Sequence, residues 1–153
     1  AIGDTSAAIE PKKARDAAAV LLEKYPTTAY APKAALLAAK ANYENNDAKS
    51  AQAQLAWVID HAQDPAMRDI ARLRLAAIAL DAKRYDDVNR LLAAKHEAAF
   101  DALFLDMRGD LALAQGKRKE ARAAYQAALA KFAETDAYRQ VVEVKLNALG
   151  EAL

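Results

Sequence analysis

The polar residues set most densely for chemistry lie in the run Asp106-Met107-Arg108-Gly109-Asp110. On a helix, two carboxylates four residues apart share one face. Lining a groove, such a pair could grip a basic side chain of a bound peptide. The same spacing also lets either aspartate pair with a nearby Arg or Lys and set how helices pack, and at this level both readings stand. The two histidines, His61 and His96, fall in different segments near predicted helix ends. Neither has a second histidine or a carboxylate at the i, i+4 spacing that builds a metal site. His61 is flanked only by Asp60 and Asp64, a weak cap-like cluster, and both histidines read as ordinary surface residues. G-x-S-x-G, the P-loop, H-E-x-x-H and G-x-G-x-x-G are all missing. The expectation is a chain with no catalytic residues, no cofactor and no metal.

Composition narrows the partners. The 22 Lys and Arg nearly balance 21 Asp and Glu, for a net charge of +1, whereas nucleic-acid and anionic-membrane binding favour a clustered basic excess. The basic run Lys117-Arg118-Lys119 with Arg122 has no interleaved aromatics and reads as a solvated turn. No cysteine is present, which rules out disulfides and thiolate metal sites. The longest apolar runs, 17–22 and 75–80, fall far short of the ~20 residues of a membrane span. Starting at Ala1 without methionine, the chain reads as a processed or trimmed product, from which an anchor or signal could have been removed.

Alanine occupies 42 of the 153 positions, against four glycines and four prolines. Alanine is the best helix former and lets helices approach closely, so the chain should be mostly helical. One phrase recurs along it: a small residue, then after twelve residues a small or branched one, then four further on a large apolar one. The copies are Ala39–Ala51–Leu55, Ala76–Val88–Leu92 and Gly109–Ala121–Tyr125. The small residues recur after 37 and then 33 residues, bracketing the 34-residue tetratricopeptide period. The fold class read from this is all-α, a tetratricopeptide-like right-handed solenoid of stacked helical hairpins with a C-terminal capping helix.

Residues 1–10 lack an apolar stripe and read as a flexible leader. Proline at the first helical position loses no hydrogen bond, so Pro11 opens a helix to about residue 24, which Tyr25-Pro26 ends. Ala14 precedes Ala51 by 37 residues, making 11–26 the second half of a repeat. Hairpins follow over about 31–62, 65–94 and 98–132, then a capping helix over 136–149. Their turns fall at Asn45-Asn46-Asp47, at Lys83-Arg84-Tyr85-Asp86 and at Gly116-Lys117, with Gly116 as a left-handed C-cap. Asp64 and either Thr135 or Asp136 serve as N-caps.

In such arrays the first helix of each hairpin lines the concave surface. One turn either side of the small residue, that face would show Leu36, Lys40 and Tyr43. The second hairpin adds Ile70, Leu73, Ala77 and Leu80, and the third Leu103, Asp106, Asp110 and Leu113. The middle set is apolar, and is either a peptide site or the seat of the last helix folding back. Trp57 lies off the packing stripe, either as an interface residue or packed on the adjoining hairpin.

The third hairpin carries a more specific phrase. Asp106-Met107-Arg108-Gly109-Asp110, Gly116-Lys117 and Ala121-Arg122-Ala123-Ala124-Tyr125 resemble the D-x-R-G-[DE]…G-[DK]…A-R-x-A-[YW] pattern of the YfgM family. Leu73-Arg74-Leu75-Ala76 before Asp87-Val88 is similar to that family's preceding hairpin, and Val144-Lys145-Leu146-Asn147-Ala148-Leu149 to its K-[IL]-N-x-L ending. Members are ancillary subunits of the bacterial Sec translocon with a short cytoplasmic N-terminus, one membrane helix and a periplasmic tetratricopeptide-like domain. The resemblance implies that this chain is the soluble periplasmic portion, tied to the membrane only through an anchor absent from this sequence. It implies a non-catalytic protein-binding role, with Sec translocon subunits and periplasmic chaperones as partners. The Tyr25-Pro26…Tyr30-Ala31-Pro32 phrase, common in cell-envelope scaffolds, keeps a tetratricopeptide scaffold of envelope assembly as the alternative.

Overall fold

The computed structural model describes residues 11–150, so the flexible leader expected over residues 1–10 lies outside the described residues. The chain divides into two compact units, one ending at Ala71 and one beginning at Arg72. Among the described residues the regular elements are helices: α1 (Pro11–Lys24), α2 (Tyr30–Glu44), α3 (Ala48–His61), α4 (Pro65–Asp81), α5 (Tyr85–Ala93), α6 (Asp101–Ala114), α7 (Arg118–Lys131) and α8 (Ala137–Ala148). A 3₁₀ turn, Ala98–Phe100, leads into α6. The all-α class read from the alanine content and the repeat is the observed one.

In the first unit α1 packs on α2 and α2 on α3. The meeting faces are built largely from alanine, with Ala18, Ala31, Ala35, Ala38, Ala39 and Ala51 buried around Leu55 and Val58. Small side chains let the helix axes approach, and the larger residues fill the gaps between them. The second unit has two clusters. Ala76, Ala79, Val88, Leu92, Phe104 and Leu111 form one. Ala102, Ala112, Ala121, Tyr125, Ala128 and Phe132 form the other, closed by Val142 of α8 and by Leu149 just after it. Every member of the thrice-repeated phrase is buried.

The three hairpin turns share one backbone solution. Asn46 (φ 63°), Lys83 (φ 57°) and Gly116 (φ 75°) are all left-handed. The residue after each donates its N–H to the carbonyl five positions back: Asp47 to Asn42, Arg84 to Ala79 and Lys117 to Ala112, each at 2.8 Å. This closes the orphan carbonyls at the helix ends. The middle turn is Ala82–Arg84 rather than 83–86, because the helix resumes at Tyr85. Asp47 and Asp136 cap α3 and α8 by accepting from the Ser50 and Tyr138 amides, and Asp64 accepts from Ala66 at 2.9 Å.

Candidate functional site

Asp106 and Asp110 project from α6 toward α8, and the structure settles how they are used. Lys145 of α8 donates to both oxygens of Asp106, at 2.9 and 3.0 Å, and to Asp110 Oδ2 at 2.9 Å. Tyr138 donates its hydroxyl to Asp106 Oδ2 at 2.9 Å, and Tyr125 donates to Asp110 Oδ1 at 2.7 Å. All four carboxylate oxygens therefore have a donor within the second unit. The ammonium uses its full donor capacity and also lies within 6 Å of the Tyr125 and Tyr138 ring centroids.

The cluster holds two negative charges against one positive. Burial pushes the Asp106 carboxyl above the ordinary aspartate range; the Lys145 hydrogen bond opposes this, and repulsion from Asp110 adds to it. Burial also works against the Lys145 ammonium, but hydrogen bonds to Asp110 and Asp106 outweigh it and hold the lysine above its ordinary value. Tyr125 and Tyr138 are both pushed up, by burial first and then by bonding to the aspartates. Asp106 is 3% exposed. Of the two sequence readings of the acidic pair, the structure shows the internal ion pair: an aspartate grip on the protein's own capping helix.

The rest of the third-hairpin phrase has equally concrete work. Arg108 donates to the Leu92 carbonyl at the end of α5, at 2.9 Å. Gly109 lies flat against the Tyr125 ring, and a Cβ there would sit 2.4 Å from Tyr125 Cε1. The same capping use of arginine recurs where Arg139 donates to the Leu129 carbonyl of α7, at 2.7 Å. Arg118 and Arg122 donate to the Leu149 and Gly150 carbonyls beyond α8. That corrects the reading of the 117–122 basic run as merely a solvated turn. Arginines reach carbonyls across the fold, a signal the sequence does not carry.

Of the other predicted residues, Leu36, Lys40, Tyr43 and Ile70 fall in the first unit and Leu73 and Leu80 in the second. Leu36 is buried in the first unit, because its side of α2 turns into the core. Lys40 and Tyr43 are exposed. Ile70 is half-buried, and Leu73 and Leu80 pack against the Phe104 cluster of the second unit. The capping helix seats its Val142, Leu146 and Leu149 on the other cluster, around Tyr125 and Phe132. His96 is not an ordinary surface residue: it stacks on buried Phe104 at 3.8 Å and bonds Asp101 at 2.9 Å. His61 is exposed and stacks on half-buried Trp57 at 4.7 Å. No group of three metal-ligating side chains gathers among the described residues, and no described helix is long and apolar enough to cross a membrane.

On α2 the sequence reading named Lys40 but missed the exposed residues in line with it. Tyr30, Lys33, Leu37, Lys40 and Glu44 are all exposed and spaced three, four, three and four residues apart, which on a 3.6-residue helix is a single stripe. Tyr30 is 71% and Leu37 64% exposed. At the N-terminal end of this stripe lies a cleft of about 620 Å³, lined by Pro26, Thr28, Pro32, Lys33, His61 and Met67 among others. The spacing was visible in the sequence. Which side of α2 faces water was not.

Stacked alanine-rich hairpins of this period have counterparts. A family described as a tetratricopeptide repeat-like domain matches residues 2–151. The chain belongs to that family. It is also 31% identical over 129 residues, 84% of its length, to an ancillary SecYEG translocon subunit of Neisseria gonorrhoeae. Proteins of the same description from Escherichia coli and Aggregatibacter actinomycetemcomitans match at 28% over 78% of the chain and 26% over 92%. The resemblance to ancillary Sec translocon subunits is thus matched by relatives of that description. The chain spans 62%, 58% and 68% of those three proteins.

Proposed function

We propose that this chain is the protein-binding part of a Sec translocon accessory protein. It works on the periplasmic side of the bacterial inner membrane and links translocation to periplasmic chaperones without catalysing a reaction. The observation that carries this reading is the match to three ancillary translocon subunits over most of the chain. The exposed apolar and cationic stripe on α2 supports it, since a family of stacked hairpins commonly binds proteins through such faces. The internal use of Asp106 and Asp110 by Lys145, Tyr125 and Tyr138 supports a non-catalytic role.

The test is site-specific photocrosslinking in cells making the complete gene product. The crosslinker replaces Leu37, which is exposed, rather than the buried Leu36. Adducts with translocon subunits or periplasmic chaperones are expected; their absence from Leu37 and from other exposed positions of α2 overturns the reading. These 153 residues contain no cysteine, so Leu37→Cys, in a complete gene product with any cysteine elsewhere replaced, gives a location readout. Labelling by a membrane-impermeant maleimide in cells with a permeabilised outer membrane is expected, and protection until lysis refutes the periplasmic assignment.

A further inference from the structure

The α2 stripe and the cleft at its N-terminal end share Lys33, and they belong to one unit. Together they offer an apolar surface, Tyr30 and Leu37, alternating with two cations, Lys33 and Lys40. The single acidic residue of the stripe, Glu44, stands 3.9 Å from Lys40 in an exposed pairing, which holds little energy. In the cleft the one carboxylate, Asp64, is occupied as the cap of the Ala66 amide. Pro26, Pro32 and Met67 give the cleft an apolar lining, and its volume is in the range that accepts a bulky side chain or a short peptide turn. His61 completes one wall, its ring fixed by stacking on Trp57 and by donating from Nδ1 to the Trp57 carbonyl at 2.9 Å.

We infer that this surface docks an acidic segment of a partner protein, whose carboxylates meet Lys33 and Lys40 and whose leading apolar side chain enters the cleft. Charge complementarity selects the occupant. Two lysines interleaved with large apolar groups on about 15 Å of helix match a segment that alternates Asp or Glu with Leu or Phe. An anionic membrane is the weaker fit, because stable attraction takes a cluster of four to eight basic residues, and the stripe has two. The inference rests on the protein-binding reading above but not on which protein is bound.

The experiment uses this 153-residue chain and three fluorescein-labelled synthetic peptides with the same Leu and Phe positions. One carries Asp and Glu between them, one Asn and Gln, and one Lys. Fluorescence anisotropy is expected to show binding of the acidic peptide, weakening with added salt. Lys33→Glu with Lys40→Glu should weaken it by about tenfold or more, two attractions being replaced by two repulsions. The reversed variant should in turn prefer the Lys peptide, while Lys119→Glu, an exposed lysine of the second unit, leaves affinity unchanged. Absence of binding, equal binding of the acidic and Lys peptides, or indifference to the double reversal overturns the inference. So does stronger cosedimentation with phosphatidylglycerol vesicles, lost in the double variant, than binding to the acidic peptide. Crosslinking of the complete protein to the translocon with no binding of the acidic peptide discards this surface while leaving the translocon reading intact. Peptide binding without crosslinking does the reverse.

Discussion

Gly109 offers the sharpest test of how the repeat is packed. In the first two copies of the phrase the crossing residue is alanine, Ala39 or Ala76, opposite a leucine, Leu55 or Leu92. In the third, glycine faces tyrosine. An alanine Cβ at 109 would lie 2.4 and 2.5 Å from Tyr125 Cε1 and Cδ1, more than 1 Å inside the ~3.5 Å of ordinary carbon contact. The ring cannot swing away, because it is fully buried and its hydroxyl is held by Asp110. Gly109→Ala gains about 1 kcal/mol of helix propensity. Against that stand an overpacking cost of about 1–3 kcal/mol and a displaced hydrogen bond to a charged group, worth about 1.5–3 kcal/mol. The expected net is a loss of about 3 kcal/mol, read from urea unfolding by far-UV circular dichroism. Tyr125→Leu alone should also destabilise, since it removes the donor to Asp110 Oδ1 and shrinks a fully buried side chain. Combined with Gly109→Ala it recreates the Ala–Leu pairing of the other two repeats. The double variant should therefore be more stable than the sum of the two losses predicts, by at least about 1 kcal/mol of coupling. Additive losses, or a Gly109→Ala chain as stable as the parent, would refute the claim that the Tyr125 ring dictates the glycine.

Three further outcomes follow from the same geometry. Lys145→Met leaves the buried Asp106 and half-buried Asp110 carboxylates without their cation and should cost about 3 kcal/mol in urea unfolding at neutral pH; Asp106→Asn, which removes the carboxylate that burial disfavours, should cost less. Tyr125, Tyr138 and Lys145 all have folded-state pKa values raised above the ordinary ones. Their contribution is thus fully present below about pH 10 and is lost as pH rises through the higher folded values. Tyrosinate absorbance should show two tyrosines ionising only above that pH, and their ionisation near pH 10 in the folded chain would contradict the cluster. Lys83→Gly relieves a left-handed lysine at the turn where Gly116 already stands in its counterpart, and should raise thermal stability by about 0.5–1 kcal/mol.

Much of this molecule is written locally. Helix positions, the proline start at Pro11, the aspartate caps and the left-handed Gly116 follow from short-range rules, because capping and propensity act within one turn of chain. The repeat phrase was legible for the same reason, and its nine residues are all buried. The pairing of Lys145 with Asp106 and Asp110 spans 39 and 35 residues. Spacing could place the two aspartates on one face but could not name the cation opposite. The orientation of α2 was hidden in another way. Leu36 and Leu37 are equally apolar, and periodicity alone cannot say which turns to solvent. Packing of α1 and α3 on either side decides it, burying Leu36 and leaving Leu37 out with Tyr30 and Lys33. Local patterns thus set the helices and their crossing points. Only the assembled units decided that the acidic pair is an internal clamp and that an apolar and cationic stripe of α2 stays open, because burial is a property of neighbours and not of sequence spacing.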